Sequence, residues 1–449
     1  MTAHRNRRTT RSGRTPIRRG LAVLATVIGL SVVQPALPAG AATADVWASP
    51  SGGNGNQMAD LGEATITTGN AAKVTRAWTT AASNMFSVQA PTIVGGVVYY
   101  LHRSINTTDP TTLVAASTRT AQPLWQVKLA DRPNQLIFSD GVTVSGNLVL
   151  IPFQDPGTTG AGLFAVSTTT HAIAWTRRVA ADSAQDYAWS GHRVYADGSR
   201  AYVHLADNTL GAYRLSDGAL LWTVRLEGNQ NVGIALGAGT FYVGYRVVSG
   251  VPMPGLTAYD AATGKQLWTA PGEGIPVLAG GRVFSTNGRS LVAVNAAGCG
   301  KATCPALWTK SFSSDAGVEL GAADASTLVV AYRKTVAQNS YGDTQAGVVA
   351  RLSATSGAQQ WSASVGTYLS PPVRGGGVMW TVNEYRTSAG VLSYRILGFT
   401  ATGTGTAALA YIPGPQRGFP QTLAVGGGTV FDQTNGGSPG LVGYRVPGT

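Results

Sequence analysis

The chain has 449 residues, 58 of them glycine, with 44% hydrophobic and only 12% charged residues. That length exceeds what one continuous hydrophobic core supports, so the chain needs either several domains or an array of repeats. The formal net charge of +12 is no nucleic-acid footprint: 7 of the 33 basic residues and none of the 21 acids precede residue 42, and the rest are scattered.

Residues 1–41 read as a targeting segment. Arg5, Arg7, Arg8, Arg11, Arg14, Arg18 and Arg19 precede the apolar run LAVLATVIGLSVV, which Pro35, Pro38 and Ala39-Gly40-Ala41 follow. The run is too short to span a bilayer. A signal peptide cleaved near Ala41 is expected, and with it a secreted, extracellular protein with no transmembrane segment. The pair Arg18-Arg19 leaves twin-arginine export open beside the general secretory route. Residues 42–75 are rich in Gly, Asn and Ser with little apolar periodicity, which predicts a lead-in arm or a short helical turn lying against the first repeat.

From residue 76 onward a repeat takes over. The stretch GLTAYDAATGKQLWTA, residues 255–270, reads as a strand, a tight turn carrying Asp260, Thr263 and Gly264, and a second strand ending on Trp268. Copies aligned on the tryptophan place Trp78, Trp125, Trp175, Trp222, Trp268, Trp308 and Trp361 at intervals of 47, 50, 47, 46, 40 and 53 residues. Between successive copies lie hairpins with Gly turns, such as APTIVGGVVYYL and VLAGGRVFST, eight in all. A period of about 40 to 50 residues with four strands is the sequence signature of a propeller blade.

The predicted fold is therefore all-β: an eight-bladed propeller of four-stranded antiparallel blades over residues 76–449. The chain begins with a lone Trp strand and ends on a unit of three strands, so the N-terminal strand is expected to pair with residues 440–446 and close the ring. Closure leaves no aggregation-prone free edge between the two ends. The eighth Trp strand is diverged: ILGFTATGTGTAALAYIP, from Ile396 to Pro413, fits the turn but brings no Trp. Seven blades with an irregular insert is the alternative.

Cys299 and Cys304 both fall in an insertion in one repeat's turn, and a local disulfide stapling that turn is expected in an oxidising compartment. The remaining histidines, His102, His171, His192 and His204, show no metal-ligand spacing. Gly436-Gly437-Ser438-Pro439-Gly440 has the letters of a hydrolase elbow but joins two strands, where that motif needs a strand-to-helix turn. Asn106-Thr107-Thr108 is a glycosylation sequon by letter and reads as an exposed loop.

The pattern A-x-D-x-x-x-G-x-x-x-W, complete at Ala258, Asp260, Gly264 and Trp268 and partial at Ala212, Gly218 and Trp222, resembles the pyrrolo-quinoline-quinone-like repeat. With the lead-in GEATITTGNAAKVTRAWTT, the resemblance covers residues 62 to 447. It implies that each Trp docks between neighbouring blades, with its N–H on a backbone partner. The family includes quinoprotein dehydrogenases, outer-membrane assembly lipoproteins and secreted proteins, so it implies no single activity. A dehydrogenase would need an Asp base, Glu and Asn ligands for calcium and usually a vicinal Cys pair. None of these maps onto the sequence, and no cofactor or metal is expected.

Turns within hairpins and most turns before the Trp are tight, whereas connections between second and third strands are mostly long, as in RVVSGVPMPG and KTVAQNSYGDTQA. Those loops share a face with the links between blades, and loops on a rigid scaffold are where binding residues concentrate. The links bring Asn84, Gln135, Asp186, Tyr187, Asn229, Asn231, Glu273, Asp315, Tyr368 and Arg417 to the channel mouth. Such a ring suits a protein or glycan partner of the cell envelope or extracellular medium, bound by a monomer; it would serve equally to hydrate a water-filled channel. The expected function is non-enzymatic binding. A quinoprotein oxidoreductase, or a glycoside hydrolase or lyase on the same scaffold, is the rival.

Overall fold

Alternating short apolar strands and glycine turns build eight separate sheets in the computed structural model. The structure describes residues 46–80, 91–102, 110–130, 137–138, 141–154, 160–180, 194–204, 209–226, 232–245, 255–312, 316–339, 342–366, 370–386, 388, 392–401, 408–413, 419–435 and 440–449, except residue 50 and some side chains within strands. Residues 1–41, expected to be a signal peptide, lie outside that set.

Six of the sheets contain four consecutive strands joined antiparallel, as in the fourth: Val232–Gly237, Thr240–Tyr245, Leu256–Asp260 and Gln266–Ala270. All eight predicted hairpins form the first two strands of a blade. Blade 2 departs in having its innermost strand in two pieces, Ile137–Phe138 and Thr143–Ser145, both paired with Leu148–Gln154. In blade 8 the strand Thr75–Thr79 pairs with Gly440–Arg445, so the two ends of the repeat array share one sheet as predicted.

Trp and Gly of the repeat motif work in pairs across blade boundaries. The docking Trp of one blade lies against the glycine in the outer turn of the next: a Cβ built on Gly218 falls 2.6 Å from Trp175, and one on Gly264 falls 2.9 Å from Trp222. Those glycines also hold φ of +68° and +73°, in the left-handed region where a side chain is costly. Blade 2 carries His171 there at φ +52°, and its ring stacks on Trp125 with centroids 4.9 Å apart. The indole N–H donates to the next blade's turn from Trp78 to Thr118 O (3.1 Å), Trp175 to Leu215 O (3.0 Å) and Trp308 to Ala354 O (3.2 Å). Asp260 shapes its turn by accepting from Ala262 N, Thr263 N and Thr263 Oγ1 at 2.7 to 3.1 Å.

Blade 7 fills the diverged position differently. Ala410 pairs with Gly398 where the other blades place the Trp, and the indole arrives instead from Trp380 on the second strand. A Cβ on Gly398 would meet the Trp380 ring at 2.8 Å, and Trp380 is fully buried. The aromatic volume is kept by a residue from another strand, and the eight separate sheets rule out the seven-blade alternative.

The disulfide Cys299–Cys304 forms, with its Cα atoms 5.6 Å apart. Its loop reaches back to blade 4, where Thr269 N donates to Ala302 O (2.8 Å) and Cys304 N to Thr269 O (2.7 Å). The insertion thus adds a short parallel partner, Thr269 opposite Thr303, to that blade's open outer edge.

The lead-in does more than lie on the first blade. Val46–Trp47 pairs with Val94 and Ile93 of blade 1, and the segment then meets blades 2 to 8 in order. Its backbone oxygens accept from inner-strand amides: Ala48 O from Val144 N, Asn54 O from Leu236 N, Gly55 O from Leu278 N, Gln57 O from Ala323 N and Met58 O from Arg374 N, all at 2.8 to 2.9 Å. Asn54 Oδ1 accepts from Ala196 N of blade 3 at 3.2 Å, and Glu63 Oε2 from Gly428 N of blade 8 at 2.7 Å. Asn56 Nδ2 bridges Ile234 O (2.7 Å) and Pro276 O (2.9 Å). This belt satisfies inner-strand groups that would otherwise line the channel unpaired.

Candidate functional site

Strand direction fixes the two faces of the ring. The belt meets inner strands just before their tight turns, so it occupies the tight-turn mouth, and the second-to-third-strand connections and interblade links leave from the opposite mouth. Of the residues predicted to ring that mouth, Asn84, Gln135, Asp186, Tyr187, Asn229, Asn231, Asp315, Tyr368 and Arg417 lie outside the described residues. Glu273 is described, at the start of the inner strand Glu273–Ala279 of blade 5. Its carboxylate accepts from Gly288 N, and its carbonyl accepts from Ser285 Oγ (2.7 Å) and Thr286 Oγ1 (3.0 Å). Glu273 therefore ties down the turn between the second and third strands of its own blade.

Part of one predicted loop is ordered ladder. In blade 6 the strands Thr327–Asn339 and Gly342–Ser353 stay paired out to Asn339 opposite Gly342. KTVAQNSYGDTQA is thus largely a hairpin at the open mouth, its two arms continuing the ladder of the second and third strands. The inner strand of the same blade carries Glu319, opposite Ala331. Burial pushes the Glu319 carboxyl up, against the opposing charge of Arg333. Nothing in the repeat pattern singles out Glu319, since strand alternation marks it only as a polar position.

At the belted mouth a cleft of about 560 Å³ is lined by Gln57, Asp60, Leu61, Gly280, Asp324 and neighbours. The Asp324 carboxylate in its lining is already engaged. Asp324 Oδ1 accepts from Ser326 N (2.7 Å), Ser326 Oγ (2.8 Å) and Thr327 N (2.7 Å), and Oδ2 pairs with Arg374. Burial raises the Asp324 carboxyl, but these hydrogen bonds and the Arg374 charge outweigh it and hold the group below its ordinary value.

One carboxyl stands apart. Asp432, on Thr429–Asn435 of blade 8, is fully buried, and neither of its oxygens has a hydrogen-bond partner among the described residues. Its surroundings include the apolar cluster of Phe431, Val442 and Tyr444, and burial pushes its pKa up to about 8. Tyr444 is raised as well, first by burial and then by the Asp432 charge.

A quinone site does not fit the described residues. The two cysteines sit on the outer edge between blades 4 and 5, away from the axis, and no three His, Cys, Asp or Glu side chains converge among the described residues. Nor is any helix among them long and apolar enough to cross a membrane.

Solved structures share the fold. BamB from Moraxella catarrhalis superimposes with a TM-score of 0.52 at 14% identity, over 83% of this chain and 99% of that one. Quinohemoprotein alcohol dehydrogenase from Comamonas testosteroni gives 0.61 at 11% identity, over 90% and 81%. A europium-containing methanol dehydrogenase gives 0.55 at 11% identity, over 88% and 90%. At these identities the likeness is one of fold alone. No protein of curated function matches the sequence. The family model described as outer membrane protein assembly factor BamB matches residues 110–271 and 252–384, more than half of the chain, and the chain belongs to that family of PQQ-like propellers.

Proposed function

We propose that this propeller is a secreted, non-enzymatic scaffold whose open, loop-bearing mouth binds a partner macromolecule, a protein or a glycan of the cell envelope or extracellular medium. The belt is the observation that carries the reading. It takes up hydrogen bonds from the inner strands of blades 1 to 7 and from the first turn of blade 8 at one mouth, leaving the opposite mouth, with its long connections and the blade 6 hairpin, as the accessible end of the rigid ring. BamB shares the fold and is, by its family description, an assembly factor, which supports a binding role.

The enzymatic rival has less support. Its quinone form lacks a fitting donor set among the described residues, and glycoside chemistry needs two carboxyl groups about 5 to 10 Å apart across a substrate. Of the inner-strand acids, Glu273 is committed to Gly288 N, which leaves Glu319 without an evident second carboxylate among the described residues. The test places a photo-crosslinking residue at Asn339, the last ladder residue of the hairpin's first strand, and as a control at Thr170 on the tight-turn face of the full chain in its own culture. A discrete adduct from Asn339 and none from Thr170 is the expected result. Equal labelling at both positions, or a mass increase on adding pyrrolo-quinoline quinone and calcium in native mass spectrometry, overturns the proposal.

A further inference from the structure

Blade 7 differs from its sisters in a second way. The residue after the docking Trp is small and polar in the other blades: Thr79, Thr176, Thr223, Thr269 and Thr309, with Gln126 and Ser362 in the remaining two. Blade 7 has Tyr411 there, opposite Leu397, with 60% of its surface exposed. Three residues before the Trp-facing position of the third strand, the other seven blades carry Gly, Ser, Thr or Val, and blade 7 carries Arg395. Strand alternation turns Tyr411 to the face opposite the one filled by Trp380. Its ring is therefore not a misplaced core residue.

These two departures meet. The Arg395 guanidinium lies between two rings, 4.8 Å from the Tyr385 centroid and 5.1 Å from that of Tyr411. Arg395 Nε donates to Asn383 Oδ1 at 2.7 Å, and fully buried Asn383 is itself anchored through Nδ2 to Val365 O of blade 6. The remaining guanidinium nitrogens, Nη1 and Nη2, make no hydrogen bond to any described residue, and no described acid pairs with them. A guanidinium held by stacking and by its Nε keeps the planar two-nitrogen fork that matches a carboxylate, with little freedom left to lose on binding.

We propose that blade 7 carries a binding site for an anionic polysaccharide, in which the Arg395 fork grips a sugar carboxylate and the exposed ring of Tyr411 packs against the apolar face of a neighbouring sugar. An acidic peptide would use the fork but gains nothing specific from an exposed flat ring beside it. The site lies on the wall of one blade and is independent of the proposal for the open mouth.

The test is calorimetric titration of the full mature chain with oligogalacturonate, with the neutral oligogalactose of the same length, and with poly-glutamate. Oligogalacturonate is expected to bind, and the neutral oligomer to bind at least tenfold more weakly. Tyr411→Thr, which restores the residue of the sister blades at an exposed position, should weaken oligogalacturonate binding about tenfold with unchanged melting. Arg395→Lys keeps the charge without the fork and should weaken it by a similar factor. The proposal is overturned if oligogalacturonate does not bind, if poly-glutamate binds as tightly, or if Tyr411→Thr leaves the affinity unchanged.

Discussion

Gly218 shows why a motif glycine is held by two constraints at once. Ala there would face both φ of +68° and a Trp175 ring atom 2.6 Å from its Cβ, whereas Gly281, at φ +72°, has nothing within 4 Å of that point. Gly281→Ala should therefore cost about 1 to 2 kcal/mol, the left-handed backbone penalty alone. Gly218→Ala should cost roughly 1 to 3 kcal/mol more for overpacking against the indole. Urea denaturation of the two variants separates the terms, and equal losses would show that the ring yields freely. Asp432 makes a second prediction at this scale. Its folded pKa of about 8 lies above the ordinary aspartate value, so the folded chain holds a proton that the unfolded chain has released. Stability from this group is complete below about pH 4 and falls as pH rises toward 8. Asp432→Asn should match the parent at pH 4 and exceed its melting temperature at pH 9; parallel melting curves across that range would refute the assignment.

Among the strands and turns, the disulfide loop is the element whose removal is simplest to read. Closing so short a loop contributes about 2 kcal/mol by chain entropy. The Cys299→Ser, Cys304→Ser double variant should lose about that much, and hydrogen exchange should show the Thr269 amide, now bonded to Ala302 O, losing protection. Unchanged protection at Thr269 would mean that the loop docks without its staple. The blade elements were legible in the sequence because their signals are local: glycine at the turn, aspartate before it, tryptophan after it, and alternation between. Tyr411 and Trp380 show where that legibility stops, since the missing indole is supplied from another strand at a distance no spacing rule encodes. The belt was hidden for a related reason. Apart from Asn54, Asn56 and Glu63 it binds through main-chain oxygens, and backbone hydrogen bonding leaves no mark on residue choice. The channel-mouth ring rested on loop composition alone, and Glu273, the member that can be followed, proves to be a turn-fastening residue.

Across the whole molecule, the ring is held shut twice. One closure is the pairing of Thr75–Thr79 with Gly440–Arg445, and the other is the belt. Asn56→Ala would remove the amide that joins Ile234 O and Pro276 O of adjacent blades; Ile234 O keeps its bond from the Tyr195 hydroxyl, so the cost is that of one buried carbonyl, roughly 1 to 3 kcal/mol. Thermal unfolding should remain one transition but begin lower. A variant melting like the parent would mean that water replaces the amide without loss.

The belt also imposes an order in time. It is made before any blade it touches, yet Glu63 cannot reach Gly428 until all but the last 21 of the 449 residues have been synthesised. Contacts so distant along the chain form late, because loop closure must precede any gain from them. The earliest-synthesised part of the ring is thus its last to settle, like a drawstring pulled after the cloth is sewn, and an unfinished propeller carries its own fastening loose.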